Sequence, residues 1–173
     1  MFSRRHIAVL ASLLALAGPP VYASGLSPCT ITIGKAVEKY TKQKQKAIAK
    51  CEDGRSDGRL APTVNCRPAA GPVTDPATAT ALASAAALVQ PSIDPKCSGP
   101  LPSLGGPCNS ATTNAQLAAC ITAPAQDADV DNRNVDTLIG TVYDTNAPVT
   151  DVGLRKCQAT IGKQGADLDP AYP

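Results

Sequence analysis

Seven cysteines constrain the fold of this chain more than any other feature of its sequence. They are Cys29, Cys51, Cys66, Cys97, Cys108, Cys120 and Cys157. No two of them form a C-x-x-C pair, the spacing typical of zinc ribbons and thioredoxin-like redox sites, so structural disulfides are the favoured role. Disulfides persist in oxidising compartments, and each stabilises a fold by about 2–4 kcal/mol. We therefore expect a crosslinked domain outside the cytoplasm.

The N-terminal segment independently predicts export. Ser3-Arg4-Arg5 precedes an apolar run at 7–17, and the small-residue site Val21-Tyr22-Ala23 follows. This order is that of a secretory signal peptide cleaved after Ala23, and the run is shorter than the roughly 20 apolar residues of a membrane-spanning helix. The arginine pair also weakly matches a twin-arginine signal, and Leu26-Ser27-Pro28-Cys29 weakly matches a lipoprotein signal. The predicted location is secreted or periplasmic.

The composition of the remaining 150 residues shows why crosslinks are needed. The leader holds the chain's only Met, Phe and His, and the chain has no Trp, so the mature part keeps three Tyr and 26 Ile, Leu and Val residues. This is a thin supply for one domain, and 14 basic residues balance 14 acidic ones. Without histidine, Ser-His-Asp catalysis, His-ligated zinc and haem attachment are excluded. We expect no catalytic site, no cofactor and no metal ion.

Hydrophobic periodicity predicts one long helix after the leader. Ser27-Pro28 suits an N-cap and first helical residue, and the helix runs to Cys51, before Glu52-Asp53-Gly54 ends it. A period of 3.6 residues separates two faces. The apolar face carries Ile33, Val37, Tyr40, Ala47, Ile48 and Cys51, together with Lys44, whose long side chain would reach past it to solvent. The opposite face carries Lys35, Lys39, Lys42, Lys46 and Lys50.

The rest of the chain alternates loops with shorter helices. Asp75-Pro76 opens a helix that runs to about Gln90 and stops at Pro91. Further helices are predicted at 114–122, within 129–143 and from Thr150-Asp151 onward, and the loops at 55–74 and 91–110 are rich in Gly and Pro. No segment alternates with a period of two. The predicted fold class is all-α: a small disulfide-stapled helical domain with long Pro/Gly-rich loops.

A seven-residue segment occurs twice. Cys29-Thr30-Ile31-Thr32-Ile33-Gly34-Lys35 returns 128 residues later as Cys157-Gln158-Ala159-Thr160-Ile161-Gly162-Lys163, with five of seven positions identical. We interpret residues 1–23 as the signal peptide, 24–150 as one Cys-rich unit and 151–173 as the start of a second unit. The six cysteines of the first unit would form three disulfides with 15 possible connectivities. Cys157 is left over, and it either pairs with another chain or folds back onto one of the six, which frees a different thiol.

Two charged clusters suggest binding roles. The Lys face is a candidate anion-binding surface, although a simple solvated helix face is the alternative. Residues 29–68 sum to +5 and residues 120–173 to −4, so neighbouring units could associate head to tail. Calcium binding is one interpretation of four acidic residues at and before the start of the helix predicted within 129–143; the alternative is that they stabilise the positive N-terminus of that helix. They are Asp127, Asp129, Asp131 and Asp136.

The order of these residues resembles a family of exported Cys-rich helical repeat proteins, of uncharacterised function, found in deltaproteobacteria and related bacteria. Matches at the start of the unit are Cys29, Ile33, Lys35, Lys39, Tyr40, Lys42, Lys44, Lys46, Ala47, Lys50 and Cys51. Later matches are Cys120, Val135-Asp136-Thr137-Leu138-Ile139 and Tyr143. Thr30 departs from the family's usual Gln, which Gln158 restores in the second copy. The resemblance implies no catalytic residues.

Together these features predict an exported, non-catalytic structural or interaction protein of the cell envelope or exterior. Its partner would be itself or another exported protein, joined through Cys157. The alternative is a binding module that holds an anionic polymer or surface on the Lys face of residues 35–50.

Overall fold

The computed structural model describes residues 27–104, 108–123, 135–143 and 148–167, with the backbone alone at 135–138 and 163–167. The leader at 1–23 lies outside this part of the chain. The helices are α1 (Pro28–Ser56), α2 (Pro76–Ala87), α3 (Val89–Ile93), α4 (Asn114–Thr122), α5 (Val135–Tyr143) and α6 (Val152–Asp167), with a 3-10 turn at Pro68–Ala70. The described residues contain no strand. The predicted all-α fold class is confirmed.

Helix α1 is the axis of the fold. Its 29 residues span about 44 Å, and α2, α3, α5 and α6 all pack against it. The Ser27 side chain accepts a hydrogen bond from the Thr30 amide at 3.1 Å, and Pro28 fills the first helical position, as the sequence predicts. Asp75 caps α2 in the same way, because its Oδ2 accepts from the Thr78 amide at 2.8 Å.

Two separate apolar clusters form along α1. The first joins the N-terminal half of α1 to α2, α3 and α4, and its buried members are Ile33, Ala36, Tyr40, Ala85, Val89, Ile93, Cys97, Leu117 and Ala118. The second joins the C-terminal half of α1 to the following loop and α5, through Ile48, Cys51, Cys66, Ile139 and Tyr143. Both clusters consist of few side chains, which is why the crosslinks matter.

Three disulfides staple these clusters. Cys29 pairs with Cys97, Cys51 with Cys66 and Cys108 with Cys120. The first joins the start of α1 to the segment after α3 across 68 positions, whereas the other two close loops of 15 and 12. Because a longer loop loses more unfolded-state freedom when it is closed, the Cys29–Cys97 bridge constrains the unfolded chain most.

Helix α1 continues past the predicted stop at Glu52-Asp53-Gly54. Gly54 stays helical and is buried against Leu60, whose Cδ1 would lie 3.0 Å from a Cβ at that glycine. The turn comes at Gly58, which has a φ of +79°. A left-handed residue after the C-cap favours glycine, and Gly58 supplies it four positions later than predicted.

Three further predictions, on the end of α2 and on two residues of the α1 face, are wrong. Helix α2 ends at Ala87, and Pro91 lies inside the short helix α3 instead of stopping α2. Proline is tolerated there because an amide in the first helical turn has no intrahelical partner to lose. Val37 is 38 % exposed instead of buried, and Lys44 is buried instead of reaching solvent. Four helices, α2, α3, α5 and α6, contact α1, so its buried residues are not confined to the predicted face and include Gln45 and Glu52.

Candidate functional site

The second copy of the repeated segment lies on α6, which packs against α1 and α5. Between 152 and 162, where the side chains of α6 are described, Gln158 and Gly162 are the buried residues. Gln158 Nε2 donates a hydrogen bond to the Val142 carbonyl at 3.0 Å. A Cβ at Gly162 would lie 2.7 Å from the Tyr143 hydroxyl oxygen, so only glycine permits this approach. We call the surface formed by Tyr143, Val142 and the end of α1 the Tyr143 junction.

Tyr143 connects α5 to α1 at this junction. Its side chain is 3 % exposed, and its hydroxyl donates to Asp53 Oδ1 at 2.6 Å. Burial raises the pKa of Tyr143 far above its ordinary value, and the Asp53 acceptor raises the pKa further. Tyr143 therefore stays a neutral hydrogen-bond donor throughout the physiological pH range.

A buried carboxylate lies beside this junction. Glu52 is 2 % exposed, and its oxygens contact Arg55 Nη1 at 2.7 Å and Arg67 Nε at 3.6 Å. Gly140 leaves room for the Arg67 guanidinium, which a Cβ on α5 would strike. This buried group was not predicted from the sequence, and its one local signal is that Glu52 follows buried Ile48 by four residues, on the same helix face. The cluster has the paired geometry of a structural buried charge.

Cys157 is a free thiol on the exposed side of α6. Leu154 and Ile161, three positions before it and four after it, are each 49 % exposed. Helical spacing places all three on one exposed strip, which borders the buried Gln158 four positions after Leu154. All six cysteines of the first unit are bonded to one another, so the fold-back alternative is not the arrangement in this structure. We call Leu154, Cys157 and Ile161 the thiol strip.

The candidate anion-binding lysines lie on one exposed face of α1. All five are exposed: Lys35, Lys39, Lys42, Lys46 and Lys50. Lys42 Nζ contacts Glu38 Oε1 at 2.7 Å, and this contact lowers the pKa of Glu38 through the hydrogen bond and the charge. From first to last the face spans about 22 Å, long enough to follow an extended anionic chain.

Among the described residues, a larger and a smaller open groove lie beside α1. The larger, about 480 Å³, lies between α1, α2 and the 3-10 turn, and its wall includes Tyr40, Lys44 and Leu82. The smaller, about 230 Å³, includes Lys50 and Asp75. The buried Glu52 and its neighbour Asp53 line neither groove. The absence of catalytic residues and of a cofactor stays a prediction.

The calcium hypothesis concerns residues outside the described part of the chain, since Asp127, Asp129, Asp131 and the Asp136 side chain are not described. Within that part, no three Cys, His, Asp or Glu side chains are grouped so that they could hold a metal ion. Among the same residues, no helix is long and apolar enough to cross a membrane.

No protein-family model matches this chain, and no curated protein or solved structure is significantly similar to it. The resemblance to exported Cys-rich repeat proteins therefore stays a prediction.

Proposed function

We propose that this protein is an exported, non-catalytic structural or interaction protein of the cell envelope or exterior, and that it self-associates through Cys157. The single observation that carries the proposal is the free, exposed Cys157 thiol between two half-exposed apolar side chains on a docked helix. Export is supported by the signal-like leader and by three disulfides, which persist in oxidising compartments.

The thiol strip is self-complementary when two copies meet about a two-fold axis. In an antiparallel pair of α6 helices centred on Cys157, Leu154 of one copy faces Ile161 of the other, because they lie three and four positions on either side of the cysteine. Such an interface uses the same patch on both subunits and closes as a dimer. Two Cys157 thiols would form one S–S bond and pass two protons and two electrons to a small disulfide oxidant.

Oxidation of the purified mature chain tests this proposal. The protein is incubated with oxidised glutathione, trapped with an alkylating reagent and separated on a non-reducing gel. The expected product is a dimer with a Cys157–Cys157 crosslink in peptide mapping, absent from Cys157→Ser. A monomer whose Cys157 is alkylated or glutathionylated would contradict self-association through this residue.

A pair of matched substitutions separates a specific interface from random thiol chemistry. Leu154→Asp places a charge inside the thiol strip and should slow dimer formation. Val152→Asp is the control, because Val152 is also about half exposed on α6 but lies on another side of the helix. Equal rates for both variants would mean that the apolar strip does not guide the pairing.

The exposed Lys face supports a second candidate function, the binding of an anionic polymer or surface. Retention on a sulfated polysaccharide column should fall with added salt, because binding releases counterions. Lys35→Glu with Lys39→Glu should elute at clearly lower salt than Lys96→Glu with Lys156→Glu, although both doubles change the net charge equally. Equal elution would indicate that net charge, and not the Lys face, holds the protein.

A further inference from the structure

No close packing within its own chain requires glycine at position 34. It lies in the interior of α1, where glycine weakens a helix relative to alanine, and a Cβ built there would meet nothing within 4 Å. The other helical glycines whose side-chain surroundings are described each have a close neighbour at that position. Gly54 meets Leu60, Gly140 meets Arg67, Gly153 meets Asp151 and Gly162 meets Tyr143. Gly34 alone among these leaves its space open.

In the second copy of the repeated segment, the corresponding glycine is packed against a side chain. Gly162 is the counterpart of Gly34, and the Tyr143 ring and hydroxyl pack against it. Gln158, the counterpart of Thr30, lies on the same side of α6 and donates a hydrogen bond to the Val142 carbonyl. In the first copy the backbone at Gly34 is therefore accessible to a similar contact, because no atom lies within 4 Å of a Cβ built there.

The surroundings of Gly34 are those of an uncovered contact surface. Ile31 and Val37 flank it at three positions on either side and are 44 % and 38 % exposed. They belong to a group of only six large apolar side chains that are exposed in the described part of the chain. We call Thr30, Ile31, Gly34 and Val37 the Gly34 face.

We propose that the Gly34 face docks head to tail onto the Tyr143 junction of a second copy of this chain, in the place that α6 occupies within one copy. The docked α6 is the template for the contact, since the same segment makes it there. Between 152 and 162 only Gln158 and Gly162 of α6 are buried, so few contacts must be exchanged. Because the two surfaces differ, the association is heterologous and can extend beyond a dimer.

Within one chain, α6 has the advantage of being tethered beside the junction. A short tether gives an effective concentration in the millimolar range, so a second copy competes at high protein concentration or when α6 is displaced. This contact does not use Cys157, and it stands or falls separately from the disulfide dimer.

Sedimentation equilibrium of the Cys157→Ser protein tests the proposal without any thiol chemistry. Gly162→Leu collides with Tyr143, displaces α6 and should strengthen self-association by about tenfold or more. Adding Gly34→Leu should return association to the starting level, because the leucine fits the monomer but fills the docking face. Adding Gly99→Leu is the matched control, since Gly99 also has open space around it. Association of the Gly162→Leu protein that persists with Gly34→Leu overturns the proposal.

The Cys157→Ser protein without the Gly162 change provides a second measurement that does not depend on how Gly162→Leu folds. At millimolar concentration it should associate, with a dissociation constant raised about tenfold or more by Gly34→Leu and unchanged by Gly99→Leu. Monomers in all three proteins, or equal association in all three, would equally overturn the proposal.

Discussion

The buried Tyr143 hydroxyl predicts a specific loss of stability in alkali. Burial, followed by the hydrogen bond to Asp53, raises the pKa of Tyr143 above its ordinary value of 10.0. The unfolded chain releases this proton near pH 10, whereas the folded chain retains it. The resulting stabilisation is fully present below pH 10 and is lost as the pH rises above 10 toward the higher pKa of the folded state.

The size of this effect follows from linkage. Above the unfolded pKa, one proton held only by the folded state lowers the free energy of unfolding by about 1.4 kcal/mol per pH unit. Between pH 8 and pH 11 the contribution of Tyr143 is therefore about 1.4 kcal/mol, provided that the folded-state pKa lies above 11.

Urea unfolding at pH 8 and pH 11 measures it, in a Cys157→Ser background that prevents thiol exchange. Tyr143→Phe should lower the free energy of unfolding at pH 8 by about 1–2 kcal/mol, because the bond to Asp53 is lost. Between pH 8 and pH 11, the free energy of unfolding of the Tyr143→Phe variant should fall by about 1.4 kcal/mol less than that of the Cys157→Ser parent. The Asp53→Asn variant should still show most of this fall in stability between pH 8 and pH 11, because burial is the larger cause of the raised pKa of Tyr143. Equal losses in Tyr143→Phe and the parent would refute the reasoning.

Three further outcomes are expected in urea unfolding. Gly34→Ala should raise the free energy of unfolding by up to about 1 kcal/mol, because alanine favours the helix and its Cβ meets nothing. Gly162→Ala should lower the free energy of unfolding, because its Cβ would lie 2.7 Å from the Tyr143 hydroxyl. Changes of the same sign in both variants would contradict the packing described for the two copies. Asp75→Ala should cost about 1 kcal/mol at pH 7 and less at pH 2, because its capping bonds to Thr78 lower the pKa of Asp75 and the stabilisation declines as the pH falls toward that pKa; a pH-independent cost would count against the cap. Replacing Cys29 and Cys97 together by alanine should cost about 4 kcal/mol, and a cost below about 1 kcal/mol would show that the unfolded chain is already restricted.

Local sequence signals predicted the helices well where caps and prolines define them. Ser27-Pro28 and Asp75-Pro76 begin α1 and α2 as expected, and the segment 114–122 is helical over its whole predicted length. These signals are local because a cap and the amide that it satisfies lie within three residues. Signals for helix ends were weaker, since Gly54 and Pro91 are each compatible with a continuing helix in this context.

The packing of the candidate site could not be read from the sequence in the same way. The buried Glu52 depends on Arg67, 15 positions later, and the Tyr143 hydroxyl depends on Asp53, 90 positions earlier. Val37 follows the periodicity of a buried position and is nevertheless exposed. Periodicity predicts which residues share a face, whereas the neighbours that cover that face come from distant parts of the chain.

By itself the sequence determined the all-α class, the starts of the main helices, the use of cysteines as crosslinks and the odd cysteine at position 157. Each of these depends on residue type and short spacing. Only the tertiary structure decided which cysteines pair, that Cys157 lies exposed, and that Gly162 is filled by Tyr143 while Gly34 is open. The reason is physical, because two copies of one segment have the same local preferences and differ only in what the rest of the chain packs against them.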